Sequence, residues 1–195
     1  MSRTNYTQQR KKTMSTIRSI ALVAGFIGAT VLSATDDVWA QQKYQYSYSA
    51  VPASSRYVQR HKIDVGDLPG HEIVIYEIQR TYTSDQPVVM GVKIVETWSY
   101  GFTDQVNGVG PSQGYNTWIL EDGSKIFAEY HGSNYGELSS TGSRRGTYHG
   151  AARFVGGTGR FAAIRGTLTD DVEYDTDPKT GYNRPVTRGE YWFVN

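Results

Sequence analysis

The chain has 195 residues, of which 20 are Lys or Arg and 19 are Asp or Glu, and it contains no cysteine. The numbers of basic and acidic residues are nearly equal, and the basic residues form no stripe along the sequence. Both observations argue against nucleic acid as a partner. Without cysteine neither disulfides nor thiol chemistry are available, so the fold must be held by its core and its strand ladders.

The first forty residues have the pattern of a secretory leader. A run of apolar or small residues over 20–32 follows a basic start and is too short for a comfortable membrane span. Val38-Trp39-Ala40 fits a small-x-small cleavage signal with Ala40 as the last leader residue. We therefore expect a signal peptide over 1–40, export by the general secretory route to the periplasm or the exterior, and a single domain over 41–195. The alternative is an uncleaved N-terminal anchor.

Beyond the leader, short segments rich in β-branched and aromatic residues alternate with turn signals. Glycine-rich and polar stretches predict loops over 108–114, 132–142 and 175–181, and Asp122-Gly123 predicts a tight hairpin turn. About eight such strands predict an all-β, antiparallel, closed barrel, because closure leaves no unpaired strand edge. The predicted strands cover 56–63, 72–83, 88–103, 115–121, 125–131, 146–155, 164–174 and 187–194, and the segment 44–49 is either a further strand or an extended N-terminal arm.

One face of the strand predicted over 88–103 combines a carboxylate with aromatic rings. Strict alternation places Glu96 on the same face as Trp98 and Tyr100, together with Val92 and Ile94. A carboxylate among aromatic rings loses solvation, so its pKa should rise and Glu96 becomes the candidate catalytic acid or base. The alternatives are a structural ion pair with Arg80 or Arg165, and an exposed face at a subunit contact.

Aromatic residues are abundant along the predicted strands, and they suit either a packed core or the lining of a ligand site. Trp98, Tyr100 and Trp118 are the candidate ligand-binding residues for a flat or unsaturated compound. The four histidines have no metal-ligand spacing, so we predict no metal site.

Three glycines in four positions lie between two strand-like segments, at Gly156-Gly157-Thr158-Gly159. Glycine enters positive-φ conformations without a Cβ clash, so the pattern predicts a β-hairpin whose turn is Gly156 to Gly159. A rival interpretation is a dinucleotide-binding loop, since Gly157-x-Gly159-x-x-Ala162 fits its fingerprint. That motif requires a helix after the loop. The β-branched residues that follow, such as Thr167 and Thr169, favour a strand instead.

The same hairpin resembles the signature of the allene oxide cyclase and dirigent superfamily, a calycin-like group of small β-barrels. Ile164 departs from the small Ala that this family often carries there. The resemblance implies a barrel without metal or cofactor that often forms trimers. The matching Arg165 would either bind a carboxylate-bearing ligand or lock the hairpin. The matching residues are Gly156, Gly157, Thr158, Gly159, Phe161, Arg165 and Gly166.

Two functions follow from this resemblance. The first is an exported barrel that binds a small hydrophobic or aromatic compound and, if it is an enzyme, cyclises or isomerises that compound without a cofactor. The second is a non-catalytic structural or interaction barrel with a filled interior. A cavity lined by Glu96 or Arg165 would favour the first function, and a lumen packed by Tyr and Trp would favour the second.

Overall fold

The structure, a computed structural model, describes residues 41–49, 54–140, 143–177 and 181–195. The leader predicted over 1–40 and part of the turn predicted over 175–181 lie outside the described residues. Within the described ranges, no helix has the length and apolar character needed to cross a membrane.

Ten strands and one short 3-10 helix, Gly159–Phe161, form the regular structure of the described residues. The predicted all-β antiparallel class is confirmed, but the predicted number of strands was too low. The strands are β1 (Tyr44–Ser49), β2 (Ser54–Asp64), β3 (His71–Thr81), β4 (Val88–Val89), β5 (Val92–Val106), β6 (Val109–Leu120), β7 (Lys125–Leu138), β8 (Arg144–Gly157), β9 (Ile164–Asp175) and β10 (Tyr182–Phe193).

All the strands belong to one rolled antiparallel sheet with the order β1-β10-β9-β8-β7-β6-β5-β3-β2, and β4 pairs with β5. The predicted closure is wrong, because within the described ranges the edge strands β1 and β2 are not hydrogen-bonded to each other. Side chains connect the two ends of the sheet instead. The rings of Tyr48 and Tyr82 lie 6.0 Å apart, and Nε of Arg80 donates to Oδ1 of Asn183 at 3.2 Å. Strand β1 has only six residues and pairs with about half of β10. Asn183 lies in the part of β10 that does not pair with β1.

Tight turns replace two of the predicted loops. The chain reverses between β5 and β6 at Asn107-Gly108, whose φ angles of 52° and 88° suit a two-residue hairpin turn. The predicted loop 108–114 is therefore strand β6, and most of the predicted loop 132–142 is the continuation of β7. A second positive-φ pair, Met90-Gly91, splits the predicted strand 88–103 into β4 and β5.

The signature stretch forms the connection between β8 and β9, as the sequence predicts, but the turn begins later than Gly156. Thr158 ties this connection to the start of β7: its amide donates to the carbonyl oxygen of Lys125 at 2.8 Å, and its Oγ1 accepts from the Lys125 amide at 2.9 Å. The fully buried Phe161 then enters the core. Strand β9 follows, which rules out the dinucleotide-loop interpretation.

One end of the rolled sheet is packed solid around this connection. Branched and aromatic side chains from β4, β5, β6, β7, β8 and β9 meet there and exclude water, which gives the fold its main hydrophobic core. The largest fully buried side chains are Phe154, Phe161, Ile94, Leu120, Ile126, Ile164 and Val89.

Candidate ligand-binding lumen

A β-bulge in β5 changes which residues face the interior. The pairing of β5 with β6 shifts register between Ile94 and Glu96, and one extra residue in a strand reverses the alternation that follows. Thr97 and Ser99 are therefore buried on the inner face, whereas Tyr100 is 43% exposed. The prediction that Glu96 shares a face with Val92 and Ile94 is wrong for this reason.

Glu96, Trp98 and Tyr100 consequently lie together on the outer face of the sheet. The indole Nε1 of Trp98 donates a hydrogen bond to the Glu96 carboxylate. The rings of Trp98 and Tyr100 are nearly parallel, with an interplanar angle of 11°. None of the three lines the interior cavity. The roles predicted for them from the sequence stay predictions.

The two remaining predicted site residues have different surroundings. Trp118 is buried and lines the interior, where its ring lies 4.9 Å from that of Phe154 and 5.6 Å from that of Tyr46. Arg165 is half-buried, donates from Nη1 to the carbonyl oxygen of Ile164 at 2.7 Å, and does not line the cavity. Of the predicted set, only Trp118 lies at the interior cavity.

Away from the packed end, the rolled sheet encloses a lumen of about 570 Å³. Its wall combines aromatic rings with hydroxyl groups, several guanidinium groups and the carboxyl groups of Asp170, Asp175 and Asp177. Such a mixture of apolar surface and a few polar groups is typical of small-molecule sites. The main lining residues are Tyr46, Tyr48, Tyr57, Tyr76, Tyr82, Trp118, Tyr130, Tyr148, Tyr174, Asp170, Arg60, Arg80 and Arg144.

Asp170 of β9 is one of the lumen carboxyl groups, and it accepts a hydrogen bond from Oγ1 of Thr187. Burial raises the pKa of Asp170, although the Thr187 hydrogen bond and the charge of Arg80 oppose this shift. Burial likewise raises the pKa of Tyr46 and Tyr148, and the charge of Asp170 raises it further. Asp170 therefore lies close to several lumen tyrosines, in surroundings that favour its neutral form.

Arg80 of β3 provides a positively charged group on the lumen wall. Its Nη1 donates to Oγ of Ser99 at 2.7 Å and its Nε donates to Oδ1 of Asn183 at 3.2 Å. Ser99 in turn donates to Oδ1 of Asn116 at 2.6 Å. The guanidinium is thus held in place by neutral acceptors from two other strands, and Asn116 of a third strand positions Ser99. Among the described residues it forms no ion pair.

Tyrosine hydroxyls form a second polar group on the wall. The hydroxyl of Tyr76 lies 2.8 Å from that of Tyr130 and 3.0 Å from Oγ of Ser112, which also accepts from Thr103. Burial raises the pKa of Tyr130, and its contact with Tyr76 adds to the shift. Both hydroxyl groups can donate or accept hydrogen bonds.

Two buried side-chain atoms have no hydrogen-bond partner among the described residues: Nη1 of Arg144 and the hydroxyl of Tyr148. Both residues line the lumen. Buried polar atoms are nearly always paired in folded proteins, so an unpaired one calls for an explanation. Within the described ranges, no cluster of three or more His, Cys, Asp or Glu is suited to hold a metal ion.

Sequence reasoning missed Asp170, although the signal was present. Leu168, Asp170 and Val172 alternate along one face of the strand, so an inward Leu168 implies an inward Asp170. Glycines inside strands were the second missed signal, because such positions often mark close approaches of neighbouring groups. They were assigned to loops instead.

No protein-family model and no curated protein matches the chain. The solved structures that are similar to it include two pterocarpan synthase dirigent proteins. GePTS1 is 15% identical with a TM-score of 0.41, and the match covers 90% of this chain and 100% of that one. PsPTS1 is 16% identical with a TM-score of 0.37, and the match covers 80% and 97%. Dirigent proteins are also the group that the hairpin at 156–166 resembles.

Proposed function

We propose that the lumen binds a small aromatic compound that carries hydroxyl groups. The observation that supports this most strongly is the open volume of about 570 Å³, which falls within the roughly 300–1,000 Å³ of typical small-molecule pockets. Aromatic walls offer stacking area, and the hydroxyls of Tyr76 and Tyr130 together with Asp170 offer hydrogen-bond partners at fixed positions.

The alternative, a structural barrel with a filled interior, fits only one end of the sheet. There Phe154, Phe161 and Ile164 leave no space for a ligand. At the other end the lumen remains open, and two buried polar atoms of its wall, on Arg144 and Tyr148, are unpaired among the described residues. A purely structural interior would gain nothing from those unpaired atoms, because each costs about 1–3 kcal/mol of desolvation.

For any cyclisation or isomerisation of the ligand, we propose Asp170 as the group that transfers the proton. Its raised pKa favours the neutral carboxyl, which can donate a proton to the ligand and recover it afterwards. Glu96 lies on the outer face and would reach only a ligand bound there. This chemistry would need no metal or cofactor.

The binding proposal is tested by thermal unfolding with a panel of neutral phenols and unsaturated fatty acids. A ligand at a hundred times its Kd stabilises the folded state by about 2.7 kcal/mol, which raises the melting temperature by several degrees. Asp170→Asn should reduce the response to phenols, and Asp171→Asn on the exposed outer face is the matched control. Absence of any response across the panel would contradict the proposal.

We also propose that the outer face of β3, β5 and β6 contacts a second copy of the chain. Ile75, Tyr100 and Tyr115 are 52%, 43% and 60% exposed there, and Tyr100 lies directly opposite Tyr115. Contiguous exposed apolar surface of this kind marks interaction sites. Sedimentation of wild type and Tyr115→Glu tests this: a wild-type oligomer that the variant dissociates supports it, and a monomeric wild type contradicts it.

Export remains part of the proposal and depends on the leader sequence alone. If the chain is cleaved after Ala40, the exported protein begins at Gln41. N-terminal sequencing of exported material tests this, and material that retains the residues before Ala40 would contradict it.

A further inference from the structure

The lumen wall built by β2, β3 and the start of β8 carries more positive than negative charge. Four arginines of this wall line the lumen: Arg56, Arg60, Arg80 and Arg144. Nη2 of Arg144 lies 3.3 Å from Oε2 of Glu72, and Nζ of Lys62, which does not line the lumen, lies 2.6 Å from Oε1 of the same carboxylate. Lys62 also pairs with Asp64 at 3.2 Å. The other three arginines, Arg56, Arg60 and Arg80, form no ion pair with any described residue.

Arg80 is held in position but its charge is not neutralised. Ser99 and Asn183 use two of its five N–H donors, and both acceptors are neutral. The remaining donors include both hydrogens of Nη2. Buried or enclosed charges are normally paired with an opposite charge, because leaving water is costly for an ion. A guanidinium with fixed orientation and free donors in a lumen wall is therefore suited to an anion.

Among the described residues, Asp170 forms no ion pair with Arg80. Its pKa is raised by burial even though the charge of Arg80 acts against that shift, so its surroundings favour the uncharged acid. Its hydrogen bond comes from Thr187. Asp175, another carboxylate of the lining, is paired with Arg145 at 3.0 Å.

Tyr57 shows that the guanidinium groups lie near one another. Burial raises the pKa of Tyr57, and the charges of Arg60, Arg80 and Arg144 all oppose this shift. The guanidinium carbon of Arg60 also lies 5.8 Å from the centre of the Tyr57 ring. Three cations thus surround one phenol on this side of the lumen. The unpaired Nη1 of Arg144 belongs to the same group.

We propose that the lumen ligand is an aromatic acid whose carboxylate binds to Arg80, with Arg60 and Arg144 close by. This inference rests on the proposed function and names the substrate class of the same site. A carboxylate is planar and matches the guanidinium fork with two oxygens. The aromatic ring of the ligand would then contact the other walls, including Tyr82 and Trp118, and its hydroxyl would lie within reach of Asp170 and the tyrosine hydroxyls.

The test compares two probes that differ in charge alone at the anion site: 4-hydroxycinnamate and its methyl ester, titrated calorimetrically at pH 7 and low salt. Because a charge-assisted hydrogen bond contributes about 1.5–3 kcal/mol, wild type should bind the acid about tenfold or more tightly than the ester. A wild-type ratio near one would overturn the anion site while leaving the proposed function intact. Binding of neither probe would overturn both.

Variants then assign the preference to Arg80. R80Q should lower the affinity for the acid to that for the ester and leave the ester unchanged, whereas R80K should retain part of the preference. R153Q is the control, because Arg153 is exposed and paired with Glu129 at 2.7 Å. Equal loss of both probes in R80Q, with an unchanged ratio, would overturn the assignment. If R80Q does not fold, the ratio in R80K and its decrease with added salt decide the question, and a ratio that salt leaves unchanged would overturn it.

Discussion

Tyr76 and Gly101 are direct partners across β3 and β5, and a Cβ atom added at Gly101 would lie 2.2 Å from Cζ of Tyr76. The hydroxyl oxygen of Tyr130 would lie 2.3 Å from that added Cβ atom. Glycine at this position lets the two phenols lie against the sheet and meet at 2.8 Å. The lumen stays open partly because the wall has no side chain there.

We predict that Gly101→Ala narrows the lumen. The added methyl group must push the Tyr76 and Tyr130 side chains toward the interior, because Cβ atoms in folded proteins essentially never lie closer than 3.0 Å to a neighbouring heavy atom. Overpacking of this kind costs about 1–3 kcal/mol, and affinity for a lumen ligand should fall with it. Thermal unfolding and phenol titration measure the two effects. If the variant loses stability but keeps its affinity, the rings of Tyr76 and Tyr130 do not form part of the wall of the binding site.

The connection between β8 and β9 gives a prediction about two glycines with different constraints. Gly159 has φ of +57°, so Gly159→Val forces a β-branched residue into a rarely allowed conformation at about 1–3 kcal/mol. Gly157 has no such angle, but a Cβ there would lie 2.4 Å from the carbonyl oxygen of Lys125. Both variants should melt several degrees below wild type.

The control for this pair is Ala162→Val, because Ala162 is exposed and has ordinary helical angles. Its stability should stay within about 0.5 kcal/mol of wild type. If Ala162→Val melts as early as the glycine variants, the positive φ of Gly159 and the clash at Gly157 do not explain their effect.

Part of this fold follows from local sequence patterns. Alternating apolar residues located most strands, and Asp122-Gly123 and the stretch around Gly157 located two connections. The predicted loops at 108–114 and 132–142 failed because glycine was taken as a loop former. In this sheet, glycines such as Gly101 and Gly132 allow tyrosine rings to lie against the strands. Such a packing relation depends on the partner strand, which a local pattern does not contain.

The site was less predictable than the fold for a related reason. The bulge between Ile94 and Glu96 reversed which residues of β5 face the interior. The alternation of apolar and polar residues before the bulge does not indicate that an extra residue follows. Glu96 was therefore assigned to the wrong face. Asp170, in contrast, follows the regular alternation of β9 and could have been found.

A Glu96→Gln variant tests the catalytic role predicted from the sequence. Glu96 accepts from the neutral indole of Trp98 on the outer face, so we expect stability to change by less than about 1 kcal/mol. Affinity for lumen ligands should stay within about twofold, a difference of about 0.4 kcal/mol. Loss of turnover with intact affinity would support the predicted role, and loss of affinity would contradict the outer-face position.

Asp170 gives a prediction about pH. Its folded-state pKa is raised, so the folded protein holds this proton more tightly than the unfolded chain does. Its contribution to stability is fully present below the ordinary Asp pKa of about 3.9 and is lost as pH rises through the raised value. Asp170→Asn cannot ionise and keeps an oxygen for Thr187. The melting temperature of the variant minus that of wild type should therefore increase with pH, and a difference independent of pH would contradict the raised pKa.

The most direct test of an open, ligand-binding lumen compares two neighbouring positions of β9 that face opposite sides. Val172 lines the lumen, and Glu173 is exposed on the outside. We predict that Val172→Trp fills the cavity and weakens the binding of 4-hydroxycinnamate about tenfold or more, the equivalent of 1.4 kcal/mol. Glu173→Trp introduces the same side chain on the outer face, so this variant should bind 4-hydroxycinnamate with the affinity of wild type. Equal affinity in both variants would contradict a binding site inside the lumen.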